Sequence, residues 1–276
     1  MIRPAIEGVS ETCRHLRRRI LKYVRVWAQI DGVRSAANYA IAILWWRGSS
    51  RSASVVPVGL RSAPDHPLLC RIGSTDPEVL ADAFGGLYHR PPADLDEVSR
   101  IIDLGSNIGA TIVQLATVFP DSQFVGVELD RGNYEMCVAN TKHLGNRCTI
   151  LWAAAWTHDG EVRYGGRQEW EYQVSASGEK RAPALAMATI LNRAGGAADY
   201  LKMDIEGAER DILRNASEWA PLVRCIRVEV HIPYTTDECI RDLEAAGFRC
   251  RMDVDQTEDV IGMNAGFCGG PTMTLS

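Results

Sequence analysis

No C-x-x-C pair occurs in the 276 residues, although there are eight cysteines: Cys13, Cys70, Cys137, Cys148, Cys225, Cys239, Cys250 and Cys268. Thiols scattered through a chain of ordinary core composition argue against a disulfide or zinc framework. They fit reduced, mostly buried side chains and a cytoplasmic setting. A long apolar run is also missing. Tyr39 to Trp46 is strongly apolar but covers only eight residues, whereas a bilayer span needs about 20. The first thirty residues lack an apolar stretch followed by a small-residue cleavage site, so no secretory leader is expected. Excess positive charge is absent too. The formal net charge is −5, and a nucleic-acid binder would normally be basic. Internal repeats and low-complexity tracts are missing. The length suffices for one full core with an appendage.

What is present centres on Ile101-Ile102-Asp103-Leu104-Gly105-Ser106-Asn107-Ile108-Gly109. An apolar pair, an acid and two glycines lead into a helically spaced apolar stretch, Ala110 to Val118, which reads as strand, turn and helix. The free N–H groups of a helix's first turn can meet a ligand there. Phe124-Val125-Gly126-Val127-Glu128 is a second apolar run ending in a carboxylate, 19 residues beyond Gly109. An acid at that place typically accepts hydrogen bonds from nucleoside ribose hydroxyls. The middle glycine of G-x-G-x-x-G is missing, which disfavours a pyrophosphate. Asp103 would repel phosphate and suit a cationic ligand. S-adenosylmethionine, with a ribose, an ammonium, a sulfonium and no phosphate, fits that pattern.

The rest of the chain alternates strand and helix patterns. Strands are expected at 101–104, 123–128, 149–152, 200–204, 225–231 and 248–254, and helices at 109–118, 131–143, 189–194, 208–215 and 237–246. This predicts a mostly parallel sheet with helices on both faces. Before it, residues 1–54 carry Arg14, Arg17, Arg18, Arg19, Lys22 and Arg25 among Leu16, Ile20, Leu21, Val24 and Trp27. This is a basic amphipathic helix that suits either a solvated face or a peripheral membrane contact. Residues 55–97 form a pre-domain segment with two short strands at 55–58 and 68–72 and a helix from 78 to 88. Thr75 or Asp76 is its N-cap candidate, and Pro77 suits its first position. The main domain spans 98–276.

Ligands of such sheets bind outside the carboxyl ends of the strands. Those ends carry Asp103, Glu128, Ala154, Asp204 and His231. Beyond Asp204 lie Glu206, Gly207 and Glu209, with the two acids at a helix start. Glu229 and His231, two apart, share one side of a strand. They read as a base pair, part of a metal site, or a simple strand cap.

Ile102-Asp103-Leu104-Gly105-Ser106-Asn107-Ile108-Gly109, Val127-Glu128, Leu201-Lys202-Met203-Asp204-Ile205-Glu206-Gly207-Ala208-Glu209 and Val228-Glu229-Val230-His231 together resemble the FkbM-type methyltransferases over about residues 68 to 232. The K-x-D-x-E-G-A-E block is the specific part. Leu69-Cys70-Arg71-Ile72-Gly73-Ser74-Thr75-Asp76 is similar to the segment preceding the domain in that family, with Ser and Thr exchanged. Leu129 stands where a proline usually follows the second acid. The first fifty residues have no counterpart.

The resemblance implies a doubly wound, mostly parallel, seven-stranded class I sheet with a helical N-terminal extension. It also implies S-adenosylmethionine as cofactor and methylation of a hydroxyl on a sugar, glycolipid or other natural product. Asp103, Gly105, Ser106, Asn107 and Gly109 would surround the methionine part. Glu128, followed by Leu129, would take the ribose. Ala153 to Trp156, with Ala154, would flank adenine, and Asp204 would close the cofactor site. Asp204 and His231 are the expected bases, with Glu229 orienting the histidine or binding a metal; magnesium is possible but not favoured. Thr75, Asp76, Glu206 and the aromatics Trp170 and Tyr172 of a flap over 163–182 are expected on the acceptor side. Glycines 165, 166 and 178 would be its hinges. N-methylation of an amino sugar and a non-catalytic membrane-docking scaffold are the alternatives. A small hydroxylated acceptor is the expected partner, without nucleic acid, and the oligomeric state is open.

Overall fold

The computed structural model describes residues 17, 20–45, 54–166, 173–175, 177–254, 256 and 258–268. The chain forms two compact units, Met1–Tyr88 and His89–Ser276. Among the described residues no helix is long and apolar enough to cross a membrane, and the described cysteines are free thiols.

The first unit joins pieces that the sequence suggested as separate, 1–54 and the start of 55–97. Residues 20–29 are helical and are followed by α1 (Gly32–Trp45), β1 (Val55–Leu60), β2 (Ala63–Arg71) and α2 (Asp76–Ala81). The two strands form an antiparallel hairpin, Val55 opposite Arg71 and Leu60 opposite Ala63. Helix α1 is fastened to β1, because Asn38 Nδ2 donates to the Pro57 carbonyl at 2.7 Å and the Gly59 N–H donates to Ser35 Oγ at 3.0 Å. Lys22, read as part of a solvated basic face, is instead buried against Glu78 and Asp82 at 2.6 and 2.7 Å. Burial opposes its charge, but the two carboxylates outweigh that and hold its pKa above the ordinary value.

Thr75 and Asp76, expected on the acceptor side, belong to this unit. Asp76 is fully buried and clamped by Arg71, whose backbone N–H, Nε and NH2 donate to it at 2.7, 2.9 and 2.7 Å. A carboxylate clamped in this way holds the β2–α2 corner. Thr75 precedes α2 without a side-chain capping bond, and its hydroxyl is buried.

The second unit is built on β3 (Arg100–Leu104), α3 (Ala110–Val118), β4 (Gln123–Glu128), α4 (Arg131–Thr141), β5 (Cys148–Trp152), β6 (Ala154–Trp156), β7 (Gly160–Gly165), β8 (Gln173–Val174), β9 (Lys180–Ala186), α5 (Met187–Arg193), β10 (Ala198–Met203), α6 (Glu209–Leu213), β11 (Val223–Glu229), α7 (Thr236–Ala245), β12 (Phe248–Met252) and β13 (Asp259–Asn264). Seven strands form one sheet in the order β12-β13-β11-β10-β3-β4-β5. All neighbours are parallel except β13, which runs antiparallel to both β11 and β12. Successive strand residues point to opposite faces. Ile101, Phe124, Tyr200 and Cys225 pack with Ile112 and Leu115 of α3 on one side. Ile102, Val125, Leu201 and Ile226 pack with Ile190, Ile212 and Leu243 of α5, α6 and α7 on the other. Near-continuous apolar strands are what a sheet covered on both faces requires.

A smaller sheet, β6-β9-β7-β8, contains the segment read as a flap. Strand β7 is antiparallel to β9 and β8, so the hairpin is present. Trp170 and Tyr172 lie outside the described residues. Gly178 has a packing reason rather than a hinge role: a Cβ there would lie 2.4–2.5 Å from the Tyr164 backbone.

Candidate active site

The parallel register places Lys202 of β10 beside Asp103 of β3. Lys202 Nζ lies 3.0 Å from Asp103 Oδ1 and 3.3 Å from Asp204 Oδ2, and donates to the Gly105 carbonyl at 2.8 Å. Burial works against the ammonium, but Asp103 and Asp204 outweigh it and keep the pKa raised. Burial pushes the Asp103 carboxyl up against the pull of Lys202. The cation that the sequence motif seemed to reserve for a ligand is therefore this lysine, which corrects the role expected of Asp103.

Gly105, at φ +77, is required because a Cβ would lie 1.8 Å from the Asp204 carbonyl oxygen. The end of β10 thus packs directly on the Gly105 backbone. The Ser106 hydroxyl is spent on the Asp103 carbonyl at 2.9 Å, and its backbone N–H on the Val127 carbonyl at 3.1 Å. Asn107 sits in a left-handed conformation, φ +49. Its Oδ1 accepts the Ile108 N–H at 2.8 Å, while its own N–H donates to Glu128 Oε2 at 2.8 Å. Gly109, at φ +81, opens α3.

Glu128 ends β4 with 6% exposure. Oε1 accepts the Asp130 N–H at 2.7 Å, and Oε2 the Asn107 N–H. Burial nevertheless pushes its pKa up to about 7. Each oxygen keeps lone-pair capacity beyond these single bonds. Leu129 is half-buried, and its carbonyl accepts Trp152 Nε1 at 3.1 Å. The Ala153 N–H donates to the Glu128 carbonyl at 3.0 Å, and Ala154 is buried at the start of β6.

The ends of β10 and β11 gather the remaining expected residues into one cluster. Asp204 and Glu206 follow β10 and Glu229 ends β11, with His231 two residues on. His231 Nε2 stands 3.5 Å from Glu206 Oε2, 3.7 Å from Asp204 Oδ1 and 4.0 Å from Glu229 Oε1. Its Nδ1 bonds Glu209 Oε1 at 2.9 Å. Glu209, not Glu229, therefore orients the imidazole. Glu209 is fully buried and also accepts the N–H groups of Ile205 and Gly207 at 3.1 and 2.8 Å. An acid that reads as ordinary helix-start charge is the anchor of the turn.

Burial alone would lower the pKa of His231, but Glu209, Asp204 and Glu206 raise it to about 10. The carboxylates around the ring thus favour its charged form. Burial raises Glu206 to about 7, and Glu206 has φ +55, a strained conformation for a side-chain-bearing residue. Asp204 resists the effect of burial because the charge of Lys202, above all, holds its pKa below the usual carboxylate value. Glu229 is raised, first by Asp204 and then by burial.

His89 completes the pocket and was not flagged by the sequence. Its Nε2 lies 3.9 Å from both Asp204 Oδ2 and Glu229 Oε2, and the Tyr200 hydroxyl holds its carbonyl at 2.9 Å. Burial, then Lys202, keeps it neutral with a pKa of about 3. Its only signal is position, directly before Arg90-Pro91-Pro92. Two triads, His89–Asp204–Glu229 and Asp204–Glu206–His231, each bring potential ligand atoms within 4.8 Å of one another.

A glycine turn after the central strand and a buried acid at the end of its neighbour are features that nucleoside-binding α/β domains share. The profile of the Methyltransferase FkbM domain matches residues 111–250, just over half of the chain. The chain belongs to this methyltransferase family, and its sheet is of the class I methyltransferase type. No curated protein matches it.

Among solved structures, it is similar to methyltransferase FkbM from Methylobacillus flagellatus KT at 16% identity and TM-score 0.43, with 60% of this chain and 43% of that one covered. An O-methyltransferase family protein from Burkholderia thailandensis matches at 12% identity and TM-score 0.41, covering 63% and 53%. Aeropyrum pernix fibrillarin, solved with natively bound S-adenosyl-L-methionine, matches at 14% identity and TM-score 0.39, covering 67% and 73%. The chain thus spans about half the length of the first two.

Proposed function

We propose that the second unit binds S-adenosylmethionine and methylates a hydroxyl group on a sugar, glycolipid or other natural product. The carrying observation is Glu128, a buried carboxylate held by two backbone N–H groups at the lip of the glycine turn. It fits a vicinal diol, because each oxygen is fixed by one donor and can accept another. The Gly105–Gly109 backbone would cradle the methionine part, and Ala153 and Ala154 would lie against adenine. Family membership supports the reading.

When bound, S-adenosylmethionine supplies an electrophilic methyl carbon, and its sulfur keeps the electron pair of the broken C–S bond as the acceptor oxygen forms the new C–O bond. Asp204 is the residue suited to take the hydroxyl proton, since Lys202 keeps it ionised at the end of β10. A hydroxyl is a poor nucleophile near neutrality, so that help matters. His231, tethered by Glu209, stands beside Asp204 and Glu206. The larger contribution is alignment of oxygen, carbon and sulfur.

Isothermal titration with S-adenosylhomocysteine and with NADH tests the cofactor. Binding of the first alone is expected; binding of NADH alone rejects the reading. Transfer of labelled methyl to hydroxylated sugars, with NMR placing the methyl on oxygen, tests the reaction. A methyl on nitrogen would move the assignment to amino sugars.

A further inference from the structure

We propose that the acid–histidine cluster holds one divalent first-row transition-metal ion, ligated by His231 Nε2 together with Asp204 and Glu206. The spacing points to this. A charge-assisted hydrogen bond between a ring nitrogen and a carboxylate is about 2.7–2.9 Å long. His231 makes such a bond through Nδ1, to Glu209 at 2.9 Å. Through Nε2 it makes none, and oxygens of Glu206 and Asp204 stand off at 3.5 and 3.7 Å, the three ligand atoms lying within 4.8 Å of one another. Donors sharing an ion at bonds of about 2.1 Å lie roughly 3–4 Å from one another over ordinary bond angles.

The surroundings agree. A ligating histidine normally gives its other N–H to a carboxylate, which fixes tautomer and ring orientation. Here that carboxylate is Glu209, itself pinned by the N–H groups of Ile205 and Gly207. Glu206 is kept at φ +55 in the same turn, a conformation that persists where the surroundings enforce it. Lys202 occupies the Oδ2 side of Asp204 at 3.3 Å, leaving Oδ1 toward His231. His89 faces the opposite oxygens of Asp204 and Glu229 at 3.9 Å and stays outside the shell. One imidazole with carboxylates suits manganese, iron, cobalt or zinc better than calcium or magnesium, which favour all-oxygen shells. An ion there would acidify a hydroxyl bound at an open position. The site itself does not depend on the methyl-transfer reading.

The test uses the full chain, stripped with a chelator and without cofactor. Manganese chloride is titrated in by calorimetry, with magnesium chloride alongside, and pulsed EPR looks for nitrogen coupling. The expected result is one Mn²⁺ per chain, bound more tightly than Mg²⁺, with coupling from a single imidazole that disappears in His231→Gln. Glu209→Gln should weaken Mn²⁺ about 10–100-fold, with calorimetric melting of the stripped protein confirming that it folds. No saturable Mn²⁺ binding, equal affinity for Mg²⁺, no nitrogen coupling in the unaltered protein, or coupling that survives His231→Gln would each overturn the site. S-adenosylhomocysteine binding, measured separately, is expected whichever way the metal result falls, so the two readings fail independently.

Discussion

The two carboxylates at the ends of β4 and β10 differ in what satisfies them. Glu128 is held by backbone N–H groups of Asn107 and Asp130. Asp204 is surrounded by side chains: Lys202, His89, His231 and, beyond the histidines, Glu206 and Glu229. Backbone donors are fixed and uncharged, so Glu128 is a rigid acceptor whose shape depends on the turn. Side-chain partners carry charges that respond to protons, ions and ligands. On the proposed reading, one half of the site would hold a constant part of a ligand and the other would change during a reaction.

Lys202 is the bridge between the halves, and removing it should give the largest effect. In Lys202→Met, Asp103 is left buried without a cation and Asp204 loses its nearest one. Breaking one side of a buried ion pair costs about 3–5 kcal/mol. Urea unfolding should show a loss of that order; a change under 1 kcal/mol would mean that Asp103 is already neutral. Next is Asp204→Asn, expected to lower the methyl-transfer rate about 10²–10⁴-fold if Asp204 takes the proton. S-adenosylhomocysteine affinity should change only a few-fold. An equal loss of affinity would place Asp204 in the cofactor half and erase the contrast.

Sequence patterning located most of the large sheet because buried parallel strands are apolar and helices repeat at 3.6 residues. The turn from Asp103 to Gly109, the strand ends at Glu128 and Asp204, and the acids after Asp204 were all visible as residue types in place. Partnership was not visible. That Asp103 belongs to Lys202 follows from the register between β3 and β10, a contact across 99 positions that no local pattern encodes. His89 is a lone histidine ahead of a proline pair, and only the fold carries it to Asp204 and Glu229. Strand β13 was missed because its short run, Asp259-Val260-Ile261-Gly262-Met263-Asn264, contains a glycine and ends in polar residues. Its antiparallel insertion between β11 and β12 is a tertiary choice. The expected split near residue 54 gave way to one unit because α1 is bonded to β1, and composition says nothing of that.

The smallest effect sharpens the Glu128 side of the comparison. Glu128→Gln keeps the shape and removes the charge, and should weaken S-adenosylhomocysteine by about 1–3 kcal/mol, the worth of hydrogen bonds to a charged acceptor. Its pH dependence is more telling. Burial raises Glu128 from an ordinary 4.5 to about 7. Ribose hydroxyls donate to the carboxylate and not to the acid, so protonation competes with the ligand. Affinity should be level above about pH 7 and fall below it, by up to about tenfold per pH unit. The free protein has the opposite sign. Because the folded pKa is raised, the unfolded chain ionises this group more readily, and its contribution to stability declines as pH rises from about 4.5 to about 7. Calorimetric titrations from pH 6 to pH 8 should show the slope in the unaltered protein and none in Glu128→Gln. A slope of the same size in the variant would assign it to another group, with Glu206, also near 7, the first to examine.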